Sequence, residues 1–361
     1  NEVKEIDFTA FGTNGTNTAS VELSTLPPMN FTKRMGYLIQ YPHGCVEQTT
    51  SSAFPQLFLS EIFELPADKN QSIERNIKAT IQRLSNFQLS NGGLSYWQGS
   101  GNANSWGTSY AGHFMIEAAK KGYVLPIGFR SKWIEYQKQE SRNWRNNSRY
   151  YNNALTQAYR LYTLSLANSP DLASMNRLRE TNSISNEAKM RLAAAYALIG
   201  KKSIAKSILN SLSSQNYSKR YYYNYGSETR NKAMALETYT LLNEETKAIK
   251  LAKEIAKTLS SESWMSTQTT SYSLLAISQY ALQNGESSGI NASYSFNNNA
   301  EKINTSKALF AKDLIGLQQE NQLKISNKNK GVLYVRVFNK GILPVGEEKV
   351  VQKNLEATVV Y

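Results

Sequence analysis

The chain has 361 residues, of which 41 are Lys or Arg and 28 are Asp or Glu, so its formal net charge is +13. This length exceeds the roughly 250 to 300 residues that one hydrophobic core usually serves, so we expect one large domain and a smaller one. No apolar run approaches the ~18 residues needed to cross a membrane, so no membrane contact is expected. The basic residues are interleaved with acidic and Asn residues, and the sequence has no recognisable nucleic-acid module, so no nucleic-acid partner is expected.

Two strands are predicted near the N-terminus. Apolar and polar residues alternate over residues 1–28, first at Val3, Ile6 and Phe8 and then at Val21 and Leu23. A turn between the two strands is marked by Gly12, Asn14 and Gly15. Pro27 and Pro28 then end the strand pattern, because proline cannot donate to a strand ladder.

The only cysteine, Cys45, lies three residues before Gln48. A lone cysteine is more often a small buried hydrophobe with an inert thiol, but this one has polar and turn-forming neighbours. The sulfur can attack the Gln48 amide carbon, release ammonia and leave an internal thioester, which is far more electrophilic than the amide. Gly44 suits such a ring, because closure through two side chains needs a tight backbone without a Cβ on the entry side.

From about residue 33 to 284 the apolar residues follow a helical period, with spacings of i, i+3, i+4 and i+7. About a dozen helices arranged in pairs are predicted, and such pairs repeated about six times can close into an α/α toroid. The predicted helices are residues 73–89, 105–122, 154–168, 186–200, 204–212, 232–242, 245–259 and 267–284, with weaker patterns at 50–63, 127–140 and 173–183.

Short strand-like runs separated by Asn, Lys and Gly turns return after about residue 288. They lie at residues 293–296, 308–310, 321–325 and 332–338. Together with residues 1–28 they predict one β-sandwich that the helical domain interrupts. Residues 355–361 look like the first strand of a following domain.

Three stretches carry a family resemblance. The run Gly44-Cys45-Val46-Glu47-Gln48 resembles the thioester signature of the alpha-2-macroglobulin and complement family, and residues 41–51 are similar to its bacterial branch. Residues 88–97 resemble the loop that follows the early helices of the thioester domain, and residues 264–272 resemble the Ser-Thr-Gln entry to its last helix. The three stretches occur in the family's order.

The resemblance implies that Cys45 supplies the thioester sulfur and Gln48 the acyl carbon. Glu47 would orient the Gln48 amide or move protons while the ring forms, or it would cap the helix that follows. Because a thioester must be protected from water, aromatic cover is expected, although ordinary packing of the same side chains is as good an interpretation. The supporting residues are Gly44, Glu47, Tyr41 and His43, and the candidates for cover are Tyr41, His43, Tyr96 and Trp97.

The fold implied by the resemblance is mainly α. An α/α toroid of about six helical hairpins, residues 31–286, would be the thioester domain. It would be inserted in a small CUB-like β-sandwich formed by residues 1–30 and 287–353, and residues 354–361 would open a further, truncated domain.

The implied function is that of a piece of a bacterial alpha-2-macroglobulin-like broad-spectrum protease inhibitor. After cleavage of a bait segment elsewhere in the full protein, the Gln48 acyl group would capture a lysine amine of the attacking protease. The partners would be proteases and the other domains of the full-length protein, without membrane contact by this piece. Such a single-use reaction is not enzymatic turnover, and no metal or cofactor is expected.

Histidine bears on the choice of acceptor. In complement members of the family a downstream histidine takes the acyl group and passes it to hydroxyls. This chain has two histidines, His43 beside the cysteine and His113 within a strongly apolar helical stretch. We interpret His113 as a structural histidine and expect lysine amines to be the acceptors.

The N-terminus shows no signal peptide, and one cysteine excludes an internal disulfide. The chain is therefore either cytosolic or, as we prefer, a piece of a longer exported protein. Such a protein would be periplasmic or on a bacterial cell surface, with lipid anchoring of the full protein an open question.

Two other classes of function stay open. A glycosidase-like toroid enzyme would need paired carboxylates facing one cavity, and the helical zone offers no convincing pair. A cysteine-nucleophile enzyme would use Cys45 with His43 or His113, but no orienting third group is evident. In an adhesive or structural surface module the thioester would be unformed or would attach the cell to a surface.

Overall fold

The computed structural model describes residues 2–27, 29, 43–65, 67–146, 153–212, 220–221, 224–261, 263–283, 289–297, 299–329 and 331–346. The chain divides into two compact units, residues 1–26 with 288–361 and residues 27–287. Tyr41 and the strand predicted at residues 355–361 lie outside the described residues.

Within the described residues there are nine strands. They are β1 (Glu2–Thr9), β2 (Thr18–Ser24), β3 (Arg220–Tyr221), β4 (Gly226–Ser227), β5 (Ile290–Phe296), β6 (Asn299–Thr305), β7 (Leu309–Leu314), β8 (Glu320–Asn327) and β9 (Tyr334–Lys340). The first unit holds two antiparallel sheets, with strand orders β1-β8-β5-β6 and β7-β2-β9.

The two sheets of the first unit share one apolar core. Alternate residues of β5, from Ile290 to Phe296, point into it, and Val21 and Leu23 of β2 enter from the other sheet. This is the period of two that a half-buried strand requires. Strand β6 was not predicted from the sequence, because it is an edge strand with Ile303 as its buried residue and therefore has no clear alternation.

The second unit is helical. Its described residues form twelve helices, none of them both long and apolar enough to span a membrane. They are α1 (Val46–Ala53), α2 (Gln56–Ile62), α3 (Ala67–Ser85), α4 (Ser105–Lys120), α5 (Phe129–Asn143), α6 (Asn153–Leu166), α7 (Leu172–Glu180), α8 (Asn186–Leu198), α9 (Lys202–Asn210), α10 (Glu228–Leu241), α11 (Glu245–Ser260) and α12 (Thr267–Gln283).

Six of these helices form a closed series of contacts. Helix α1 contacts α4, and the series continues through α6, α8, α10 and α12 back to α1. These helices are buried over most of their length, whereas helices such as α3 and α11 bury one face only. Small residues permit close packing against the series: a Cβ at Gly112 of α4 would lie 2.2 Å from the Trp133 ring. Helix α1, which begins after Cys45, is one member of this closed series.

Most helix positions follow the sequence pattern, although the helix predicted at residues 73–89 begins earlier, at Ala67, and ends at Ser85. Helices α4 and α8 begin at the predicted residues, because Asn104 and Ser185 accept hydrogen bonds from the backbone nitrogens of Gly107 and Ala188 at 2.7 and 3.3 Å. The single helix predicted at residues 50–63 is two helices. Pro55 separates them, since proline lacks the N–H that a continuing helix needs.

Candidate functional site

Cys45 and Gln48 lie together at the start of α1. Cys45 is the N-cap residue, with extended backbone angles, and it is only 2% exposed. Gln48 occupies the third helical position, and its Oε1 accepts a hydrogen bond from the Cys45 backbone nitrogen at 3.3 Å. Capping thus folds the Gln48 side chain back onto Cys45. The structure therefore brings the predicted pair together, with a buried sulfur and an exposed glutamine.

Gly44 makes this arrangement possible. Its φ is +84°, in the left-handed region that favours glycine. A Cβ at this position would lie 2.2 Å from Oε1 and 3.1 Å from Cδ of Gln48. The crowding that the sequence predicted is therefore specific: any side chain at residue 44 would occupy the space of the Gln48 amide.

The second motif places a tyrosine hydroxyl on the sulfur. Tyr96 Oη lies 3.2 Å from Cys45 Sγ, and the Tyr96 carbonyl accepts a hydrogen bond from the Val46 backbone nitrogen at 3.1 Å. The Tyr225 ring stacks on Tyr96 at a centroid distance of 6.2 Å, and Trp97 meets it edge-on at 5.6 Å. Partial burial, with the hydrogen bond to Cys45, raises the pKa of Tyr96 well above its ordinary value, so the phenol stays protonated at neutral pH.

The third motif contacts the site through a hydrogen bond to Glu47. This buried carboxylate accepts hydrogen bonds from Ser51 at 2.7 Å and from Thr267, the first residue of α12, at 3.1 and 3.2 Å. Ser51 also lies 3.1 Å from Tyr110 Oη, which donates to Ser271. Burial raises the pKa of Glu47, and the bonds from Ser51 and Thr267 oppose that rise. Glu47 thus ties α1 to α4 and α12, and in the structure its carboxylate faces Thr267.

The turn before Cys45 is held from α3. Arg83 donates to the Gly44 carbonyl at 3.0 Å and to Thr49 Oγ1 at 3.3 Å, and the Thr49 hydroxyl donates to the His43 carbonyl at 3.3 Å. The His43 side chain is exposed. Arg83 and Tyr225 were missed by sequence reasoning. Neither belongs to a recognisable motif, and only the fold brings them to Cys45.

Known proteins were compared with the chain. No protein-family model matches it. A curated relative from Escherichia coli K12 named alpha-2-macroglobulin is 32% identical over 108 residues, which are 29% of this chain and 6% of the relative. The structure of Salmonella alpha-2-macroglobulin reacted with methylamine matches 96% of this chain and 24% of that one, with a TM-score of 0.71 and 20% identity. Trypsin-activated alpha-2-macroglobulin from Escherichia coli matches 94% of this chain and 25% of that one, with a TM-score of 0.59 and 19% identity.

The curated relative is named alpha-2-macroglobulin, and solved proteins of the same name share the fold along almost the whole chain. The chain is similar to bacterial alpha-2-macroglobulins. The resemblance predicted from the three motifs is therefore confirmed. The chain spans 24% of the solved Salmonella alpha-2-macroglobulin and 6% of the curated Escherichia coli relative.

His113 lies on α4 and is buried in the core of the helical unit. Its Nδ1 is 3.0 Å from Tyr159 Oη and its ring packs edge-on against Phe54 at 4.8 Å. Phe54 caps the far end of α1, nine residues after Cys45, which is roughly 13 Å along a helix axis. Burial, reinforced by the charge of Arg191, lowers the pKa of His113 well below its ordinary value. His113 is thus a neutral core histidine remote from the cysteine.

Two carboxylates of the helical unit, Glu237 and Glu74, are engaged in structural contacts. Glu237, near His113, accepts from Arg191 at 2.6 Å and from Tyr162 at 2.6 Å. A surface groove of about 830 Å³ between α3 and the segment after α4 has Glu74 as the single carboxylate among its lining residues, and Glu74 is paired with Lys78 at 2.6 Å. Over the described ranges, no three His, Cys, Asp or Glu side chains are placed to hold a metal ion.

Proposed function

We propose that this chain is the thioester-bearing part of a bacterial alpha-2-macroglobulin-like protease inhibitor, with the ring closed between Cys45 and Gln48. The observation that carries the proposal is the return of the Gln48 side chain to the Cys45 backbone nitrogen, at 3.3 Å, beside a buried thiol. Closure forms a bond between Sγ and Cδ of Gln48, and the amide nitrogen leaves as ammonia.

Capture then uses the two sides of the ring differently. Gln48 is exposed and Cys45 is buried, so an amine approaches the acyl carbon from solvent while the sulfur stays within the protein. The amine nitrogen bonds to Cδ, the C–S bond breaks, and Cys45 is released as a thiol. Because His113 is remote from Cys45, it is not positioned to take the acyl group before the acceptor does. This favours direct attack by a neutral amine such as a lysine side chain.

Each chain reacts once, so the protein is an inhibitor and not a turnover enzyme. Two solved relatives support the assignment: one was reacted with methylamine and one was activated by trypsin. By the same likeness, attacking proteases are the covalent partners of this chain. Since Gln48 is exposed here, another domain of the full protein would shield the ring until a bait segment is cut.

The domain organisation is part of the same proposal. The closed helical series with its outer helices is an α/α toroid, residues 31–286, inserted in a CUB-like sandwich of residues 1–30 and 287–353. Residues 354–361 begin the next domain. The closed contacts of α1 with α12 and the shared core of the two sheets support this organisation. The full protein would reside in the periplasm or on the cell surface.

Capture of a protease tests the proposal. The chain is mixed with trypsin whose active site has been chemically blocked, which prevents digestion, and the products are separated under denaturing, reducing conditions. We expect a covalent adduct that disappears after methylamine treatment of the chain or in Cys45→Ala. Trypsin with dimethylated lysines is the matched control, because tertiary amines cannot form an amide. Equal adduct with the dimethylated protease, or with Cys45→Ala, would contradict the proposal.

A further inference from the structure

We propose that the Tyr96 hydroxyl donates a hydrogen bond to the departing Cys45 sulfur and so speeds the opening of the ring. This inference rests on the proposed thioester and adds a residue to its chemistry. It gives Tyr96 a role beyond that of aromatic cover, because the hydroxyl, and not only the ring, contributes to the reaction.

The position of the hydroxyl is fixed from several sides. Tyr96 Oη lies 3.2 Å from Sγ, and the backbone of the same residue is bonded to Val46, the first residue of α1. The ring is held between Trp97 and the stacked Tyr225. Loop and helix therefore move together, which keeps the phenol directed at the sulfur.

The direction of the hydrogen bond follows from the state of the sulfur. A free thiol can donate its hydrogen to the tyrosine oxygen. The sulfur of a thioester carries no hydrogen, so in the closed ring Tyr96 is the only possible donor of the pair. The bond therefore reverses direction when the ring closes.

The strength of this bond changes along the reaction. A thioester sulfur is a weak acceptor. When an amine bonds to Cδ of Gln48, the C–S bond breaks and its electron pair leaves on Sγ, which becomes a negatively charged acceptor. A bond that strengthens as charge develops stabilises the transition state more than the ground state. The attacking nitrogen loses its proton to water.

Tyr96 donates a hydrogen bond and keeps its proton. Partial burial, with the bond to Cys45, holds the pKa of Tyr96 above its ordinary value of about 10, whereas an ordinary thiol has a pKa of about 8.5. Transfer of a proton from this phenol to the thiolate is therefore uphill. Solvent supplies the proton of the final Cys45 thiol.

The first test compares Tyr96→Phe, which keeps the ring and removes the hydroxyl, with Tyr123→Phe as a remote, partly buried control. The rate of thiol release by methylamine is measured for each. Because hydrogen bonds to charged groups are the strong ones, we expect Tyr96→Phe to react about tenfold to a hundredfold more slowly. The ratio to wild type should stay constant from about pH 7 to 9, where tyrosine remains protonated. An unchanged or faster rate would overturn the inference, since loss of shielding would accelerate the reaction.

The second test reads the hydrogen bond in the opened chain. After methylamine treatment, the S–H stretching band of Cys45, the single cysteine of the chain, is recorded by infrared spectroscopy. In the free state the thiol donates to Tyr96 Oη at 3.2 Å, so we expect Tyr96→Phe to shift this band to higher frequency. An unshifted band would overturn the inference even if the variant failed to close its ring. Wild-type chain that has lost no ammonia would contradict the proposed function itself. Normal ammonia loss with an unchanged rate and an unshifted band would contradict this inference alone.

Discussion

Replacement of Gly44 by alanine should prevent closure of the thioester ring without unfolding the protein. The added Cβ would lie 2.2 Å from Gln48 Oε1, a distance at which something must move. The nearest atom is the end of a flexible side chain, so Gln48 is displaced and the backbone is spared. We expect Gly44→Ala to fold and to lose the ring, because the acyl carbon no longer lies beside Cys45.

The cost in stability can be estimated from the backbone. Alanine in the left-handed region is less favourable than glycine by about 1–2 kcal/mol. For a domain of this size each kcal/mol lowers the melting temperature by about 2–4 °C. Gly122→Ala is the matched control, because Gly122 has a φ of +89° and no atom within 4 Å of its added Cβ. Both variants should lose similar stability, and only Gly44→Ala should lose the ring.

Intact mass and melting temperature are the two assays for this pair. Gly122→Ala should show the loss of one ammonia and release a thiol with methylamine, and Gly44→Ala should show neither. Full ammonia loss in Gly44→Ala would refute the steric reasoning. Loss of the ring in both variants would show that stability, and not the space around Gln48, controls closure.

Three further changes test other parts of the site. Cys45→Ala should abolish conjugation and keep the helical circular dichroism signal, because a short local cross-link contributes little stability compared with the apolar burial of many helices. Loss of the helical signal would show that Cys45 serves mainly to pack the core. His113→Ala should lower stability by about 2 kcal/mol through lost packing and hydrogen bonding, yet leave the ratio of methylamine to glycerol capture unchanged; loss of glycerol esters would show acyl transfer through His113. Glu47→Gln should weaken the dependence of the melting temperature on pH. Because burial raises the pKa of Glu47, this residue contributes stability that is present below about pH 4.5 and is lost as pH rises through the folded-state pKa. A pH dependence of the melting temperature equal to that of the wild type would contradict the raised pKa of Glu47.

Local chemistry made much of this molecule predictable. The Cys45–Gln48 spacing predicts two residues that meet across one helical turn, and the structure places the Gln48 side chain against the Cys45 backbone with Gly44 beside it. Helix α4 was predicted from its apolar spacing, and it begins at the predicted residue because Asn104 caps it there. In each case the deciding contacts join residues that are close in sequence.

Long-range contacts were beyond the sequence pattern. Glu47 meets Thr267 across 220 residues, and that pairing exists only because α12 closes on α1. Tyr225 reaches Tyr96 from a loop between β3 and β4, strands too short to leave a periodic signal. Strand β6 is polar on most of its length, so its position depends on pairing with β5. Alternation of apolar and polar residues identifies half-buried strands but does not identify polar edge strands such as β6.

The decisive measurement for the Cys45–Gln48 thioester is the intact mass of freshly purified chain, with and without methylamine. We expect a mass lower than that of the sequence by one ammonia, addition of methylamine at Gln48, and the simultaneous appearance of a free thiol at Cys45. An unmodified mass, together with a Cys45 thiol that titrates at once without methylamine, would contradict it.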